Sequence, residues 1–250
     1  MHVAVGSGEP VVFVHGNAST HETWSATIAP LARHHRCISY DLRGHGGPDL
    51  PPGPVSLDLL VEDLEHLREE LALPAIRLVG HSLGAFIAAA YARKHPQRVK
   101  ALALLAAPAN RSAVDRAAGD ALIERLRREG VERVMAALQQ GWYRAEFVAA
   151  QPDALQERLA QIRSIPDDVF IRIYELYNAT EIAPWLASLT MPTLVMTGEH
   201  ARLCGADVAR AITARLPKAS LVVFEGYKNG ILTEIPGRVA DELLRFFRTH

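Results

Sequence analysis

Two cysteines in 250 residues, Cys37 and Cys204, are too few for a disulfide framework, and their separation matches no metal-ligand spacing. No stretch approaches the ~18 consecutive apolar residues of a membrane span. The N-terminus lacks the basic start and apolar core of a signal peptide. An excess of either charge is missing too: 27 Lys and Arg stand against 28 Asp and Glu, a net charge of -1. Such a balance gives no electrostatic footprint for nucleic acid or an anionic membrane surface. Internal repeats, phosphate-binding glycine loops and clusters of metal-ligating side chains are also lacking. These absences predict a protein of the reducing cytoplasm with no metal, no organic cofactor and a small molecule as partner. They leave the oligomeric state open. What is present is apolar: 49% of the residues are hydrophobic, enough for one α/β core domain with an insertion.

The most informative stretch is 76–95. An apolar strand containing Leu78 and Val79 runs through Gly80-His81-Ser82-Leu83-Gly84 into a helix where Phe86, Ile87, Ala90 and Tyr91 recur at helical spacing. In a turn this sharp the two glycines keep side chains out of a close approach, and Ser82 is lifted at the apex with a strained backbone. The Leu83 amide then lies at a helix N-terminus, where unpaired donors favour developing negative charge. The plainer reading is a glycine-rich turn whose serine caps the helix; the strand before it and the helix after it favour a nucleophile elbow.

The rest of the chain alternates. Val11 to His15 reads as a buried strand, and His15-Gly16-Asn17 leaves it as a loop whose Asn17 amide faces the same end of the sheet as Leu83. A helix over 20–33, a strand over 36–40 and the loop Asp41-Leu42-Arg43-Gly44-His45-Gly46-Gly47 follow. His45 in that loop reads as a structural hydrogen-bonding residue sooner than a catalytic one. Leu57, Leu60, Val61, Leu64, Leu67 and Leu71 form an amphipathic stripe capped by Ser56. Another buried strand spans 99–106. From 110 to 190 the strand signal stops, and helices are expected over 120–128, 131–140, 154–162 and 167–177. Seven of the sixteen aromatics fall there, among them Trp142, Tyr143, Tyr174 and Tyr177, enough to lend some to an apolar pocket. Strands over 193–197 and 221–224 flank a helix over 206–216, and a last helix covers 236–247. The sum is a mostly parallel twisted sheet with helices on both faces, a core of 1–109 and 191–250, and a helical cap over 110–190.

His15-Gly16-Asn17, Asp41-Leu42-Arg43-Gly44-His45-Gly46, Gly80-His81-Ser82-Leu83-Gly84, the cap, and Pro192-Thr193-Leu194-Val195-Met196-Thr197-Gly198-Glu199 together resemble the α/β-hydrolase family over nearly the whole chain. The resemblance implies Ser82 as nucleophile, the amides of Asn17 and Leu83 as an oxyanion hole, and an acid and a histidine later in the chain. Both later positions depart from the pattern. The acid place, three residues after Gly198, holds Ala201, and the histidine place, five residues before Glu234-Ile235-Pro236, holds Asn229. Asparagine forms hydrogen bonds but takes no proton near neutral pH. Losing the base can cost on the order of a million-fold in rate. His200 is the first candidate for a stand-in base, ahead of Glu199, Asp207 and Lys228, since its free pKa is nearest neutrality.

Three functions fit the sequence. One is a small-molecule serine hydrolase, acting on an ester or a related acyl or carbon-carbon bond, with an altered triad. The second is a binding module on a hydrolase fold, and the third a cofactor-free lyase or isomerase with an unusual base.

Overall fold

The structure, a computed structural model, describes all 250 residues. Seven strands form one sheet: β1 (His2–Val5), β2 (Pro10–Val14), β3 (Arg36–Tyr40), β4 (Ile76–His81), β5 (Val99–Leu105), β6 (Thr193–Gly198) and β7 (Ala219–Phe224). Their order is β1-β3-β2-β4-β5-β6-β7, all parallel except the antiparallel edge strand β1. β4 lies at the centre, so the residue that ends it opens at the middle of the sheet edge.

The strands are apolar on both sides because both faces are covered. Val12, Val14, Leu78, Leu102 and Val195 point into one core, with α2 (Leu57–Glu70), α3 (Leu83–Lys94) and α9 (Ala206–Thr213) over them. Val11, Phe13, Val79, Ala103 and Met196 point into the other, closed by α1 (Ser25–Leu31) and α11 (Pro236–Thr249). The Ser56 hydroxyl caps α2 by accepting from the Leu59 amide at 3.2 Å.

Between β5 and β6 the chain forms α4 (Ala113–Glu129), α5 (Val131–Leu138), α6 (Ala145–Ala150), α7 (Pro152–Arg163) and α8 (Asp167–Ala179). These helices share a small core of their own around Leu126, Val134, Leu159, Ile162 and Phe170. The insertion is tied to the segment between β7 and α11. Arg144 pairs with the carboxylate of Glu234 at 2.8 Å, and the Gly230 amide donates to the Trp142 carbonyl at 2.9 Å.

Several elements differ from the sequence expectation. β1 has no buried alternation to betray it, since three of its four residues are exposed. The helix expected over 20–33 is a 3-10 turn, His21–Trp24, followed by the shorter α1. α4 begins well before residue 120, because a capping box formed by Ser112 and Asp115 starts it there. The short helices α6 and α10 (Ile231–Glu234) add to the expected set.

Candidate functional site

Ser82 joins β4 to α3 with φ of 56° and ψ of -115°, a backbone region that an L-residue enters only under strain. The flanking glycines account for how the chain achieves it. A Cβ on Gly80 would lie 2.2 Å from the Gly84 carbonyl oxygen, and one on Gly84 would lie 2.2 Å from that of Val14. Any side chain there would push α3 off the sheet. The Ser82 amide is fixed by the Leu105 carbonyl at 2.9 Å, while the side chain lines a cavity of about 970 Å³ between the sheet edge and the insertion.

Asn17 lines the same cavity, and its backbone amide has no acceptor in the protein. Leu83 is the first residue of α3, so its amide has no intrahelical partner either. The loop carrying Asn17 is held by two buried histidines. His15 Nε2 accepts from the Leu42 amide at 3.0 Å, which leaves Nδ1 to donate to the Gly16 carbonyl at 2.8 Å. His45 Nε2 accepts from the Ala18 amide at 3.0 Å. Burial lowers the pKa of both, His45 to about 4, and both rings serve here as neutral struts.

The residues at the two places where the sequence resemblance expects an acid and a histidine are close to one another but offer no base. Ala201 is 6% exposed and packs with Ala106 and Cys204. Asn229 lines the cavity, yet its amide group is spent on the neighbouring loop. Oδ1 accepts from the Arg202 amide at 3.0 Å, and Nδ2 donates to the Arg202 carbonyl at 3.3 Å and reaches the Cys204 sulfur at 3.4 Å. Burial pushes the Cys204 thiol up to about 12, so it stays protonated.

The structure does not bring His200 to Ser82. Its side chain is 61% exposed, stands 3.5 Å from Glu199 on the surface, and is not part of the cavity wall. The reason is local: β6 ends at Gly198, and the turn after it sends Glu199 and His200 outward while Ala201 turns in. Asp207 is likewise exposed and pairs with Arg210 at 2.8 Å, and Lys228 is off the cavity wall.

One wall residue, His81, had no role in the sequence reading, and another, Tyr177, entered it only as one of the cap aromatics available to a pocket. The Tyr177 hydroxyl, its pKa raised by burial, approaches Ser82 from α8. The His81 ring lines the cavity with its Nε2 buried and unpartnered, and burial lowers its pKa to about 4. The turn motif itself pointed to His81, whose side chain precedes the serine, whereas Tyr177 lies 95 positions away and carried no local signal. No group of three or more His, Cys, Asp or Glu side chains is placed to hold a metal ion, and no helix is long and apolar enough to cross a membrane.

The chain is similar in sequence and in fold to several known proteins. An epoxide hydrolase of Siraitia grosvenorii is 41% identical over 106 residues, 41% of this chain but only 34% of that protein. The chain thus matches about a third of the length of that relative. A hydrolase of (E)-2-((N-methylformamido)methylene)succinate from Acinetobacter baylyi is 23% identical over 98% of this chain and 92% of its own. Among solved structures, a thermophilic esterase from Thermogutta terrifontis, determined with malate bound, superposes with a TM-score of 0.90 at 25% identity, covering 100% of this chain and 93% of that one. Residues 9–162 match the sequence profile of the alpha/beta hydrolase fold. With that match over more than half its length and this sheet beneath it, the chain belongs to the α/β-hydrolase family.

Proposed function

We propose that this chain is a serine hydrolase of small, partly apolar acyl compounds, working through Ser82 and slowed because positions 201 and 229 hold alanine and asparagine. The observation that carries the reading is the strained Ser82 turn at the end of the central strand, with its side chain in the cavity wall. Strain of this kind costs on the order of 1–3 kcal/mol and persists where the surrounding structure imposes it. The (E)-2-((N-methylformamido)methylene)succinate hydrolase among its relatives and the esterase among its structural neighbours support the broader hydrolase class.

In the proposed reaction Ser82 Oγ bonds to the substrate carbonyl carbon as the carbonyl pair moves onto oxygen, facing the amides of Asn17 and Leu83. Collapse expels the leaving group with a proton and leaves acyl-Ser82, which water then cleaves. Each half requires a group that takes a proton and returns it. Tyr177 does not fill that role, since burial keeps its hydroxyl protonated. Asn229 holds no exchangeable charge, and His81, which burial lowers to about 4, is a weak base beside the serine. The proton therefore passes to solvent, and both steps are slow.

Slow deacylation makes the intermediate itself the test. Incubation with a short activated ester and intact-mass analysis should find one acyl group, on the peptide containing Ser82, and none in Ser82→Ala. Absence of any adduct on the unaltered chain and on Asn229→His, both folded, sinks the proposal and favours a binding module that keeps the cavity without turnover.

A further inference from the structure

Two arginines that are buried or half-buried in the wall of the Ser82 cavity, Arg111 and Arg158, have no carboxylate partner. Arg111, between β5 and α4, is 8% exposed. Its guanidinium lies over the rings of Tyr177 and Phe86, 5.4 and 5.8 Å from their centres. One Nη donates to the Thr180 carbonyl, and Nε is buried with no acceptor at all. The nearby acids are engaged elsewhere. Glu181 accepts from the amides of Asn110, Arg111 and Ala183 and pairs with Arg116 at 3.2 Å, and Asp115 is held in its capping box by Ser112. Arg158 on α7 donates to the carbonyls of Asn17 and Ala18 and to Gln161, with no acid within ion-pair distance.

A guanidinium stays charged inside a protein, and a buried charge or donor left without a partner is unfavourable. The Tyr177 and Phe86 rings, themselves 5.3 Å apart, cover one side of the Arg111 fork, and its edge keeps a second Nη that donates to nothing in the protein. A planar anion fits that edge, whereas a neutral acyl chain leaves it unpaired. We propose that the cavity binds a small acyl compound bearing a free carboxylate, such as a half-ester of a dicarboxylic acid, with the carboxylate accepting from the Arg111 Nη that Thr180 does not use and Arg158 supplying the second positive wall. Calling that compound a substrate rests on the Ser82 reading; the binding does not.

The test therefore removes the nucleophile. Full-length Ser82→Ala is titrated calorimetrically, at low salt, with monomethyl succinate, with its neutral counterpart methyl butyrate, and with inorganic phosphate. The half-ester should bind at least tenfold more tightly than the neutral ester and than phosphate. Arg111→Met should erase that preference, Arg158→Met should reduce it, and Arg111→Lys should keep part of it. Because Arg111 also supports the Thr180 carbonyl, each variant is checked by circular dichroism. If Arg111→Met does not fold, Arg111→Lys and the loss of preference in high salt decide. Equal affinity for the two esters, no binding of either, phosphate matching the half-ester, or a preference surviving both arginine changes overturns the proposal. None of these results bears on acyl-Ser82 formation, which is read with a neutral ester on the chain that keeps its serine.

Discussion

Asn229 clasps Arg202 from both sides, accepting from its amide at 3.0 Å and donating to its carbonyl at 3.3 Å. The clasp keeps the loop after β6 against the loop after β7, the two segments where the sequence resemblance expects an acid and a histidine.

Because that scaffold is intact, Ala201→Asp with Asn229→His should restore a proton relay to Ser82. Asn229→His alone should recover more than Ala201→Asp alone, since an orienting acid with nothing to orient contributes little. The double change should raise hydrolysis of a short activated ester by about 10² or more over the present chain, beyond the sum of the singles, and Ser82→Ala should abolish the gain. Ala201→Asp by itself should lower stability by about 1–3 kcal/mol, as its carboxylate enters a buried site lined by Ala106 and Cys204. Steady-state rates and urea midpoints of these five proteins check both statements.

The strain at Ser82 is measurable by comparing two replacements. Glycine adopts positive φ without penalty and alanine does not, so Ser82→Gly should be more stable than Ser82→Ala by about 1 kcal/mol, or ~2–4 °C in Tm for a chain of this length. Equal melting temperatures contradict the strained turn.

Gly84→Ala should be far more damaging than an average helix substitution. Its Cβ would meet the carbonyl oxygens of Val14 and His15 at 2.2 and 2.6 Å, and backbone cannot yield as a side-chain tip can. A loss of about 2–4 kcal/mol in denaturant unfolding is expected, with reduced soluble yield.

Stability should fall as the solution is acidified from neutrality. Burial depresses His45 and His81 to about 4 in the folded chain and lowers His15 as well. Above about pH 6.5 these rings are neutral in both states and no proton is exchanged on unfolding. Between about 6.5 and 4 the unfolded chain binds protons that the folded chain refuses, so each ring contributes up to about 1.4 kcal/mol of loss per pH unit. His45→Gln should flatten the dependence of Tm on pH over that range while lowering Tm at neutral pH, because the Ala18 amide loses one of its two acceptors and keeps only Asn17 Oδ1.

The elbow, the alternation of strands and helices and the amphipathic helices were legible in the sequence because each depends on neighbours along the chain. Gly80 and Gly84 flank Ser82 at fixed spacing, and the apolar runs of β2 and β4 record burial on both faces. β1 was not legible, since an exposed edge strand is defined by its partner β3 and not by a pattern of its own. The same limit applies to the site. The sequence determined that positions 201 and 229 hold no acid and no imidazole. Only the tertiary structure decided that His200 faces solvent, that Asn229 is spent on Arg202, and that Tyr177, Arg111 and Arg158 converge on the Ser82 cavity. Those outcomes depend on which side chains an α-helical insertion brings over the sheet edge, a relation between distant residues that hydrophobic periodicity and local turn chemistry do not encode.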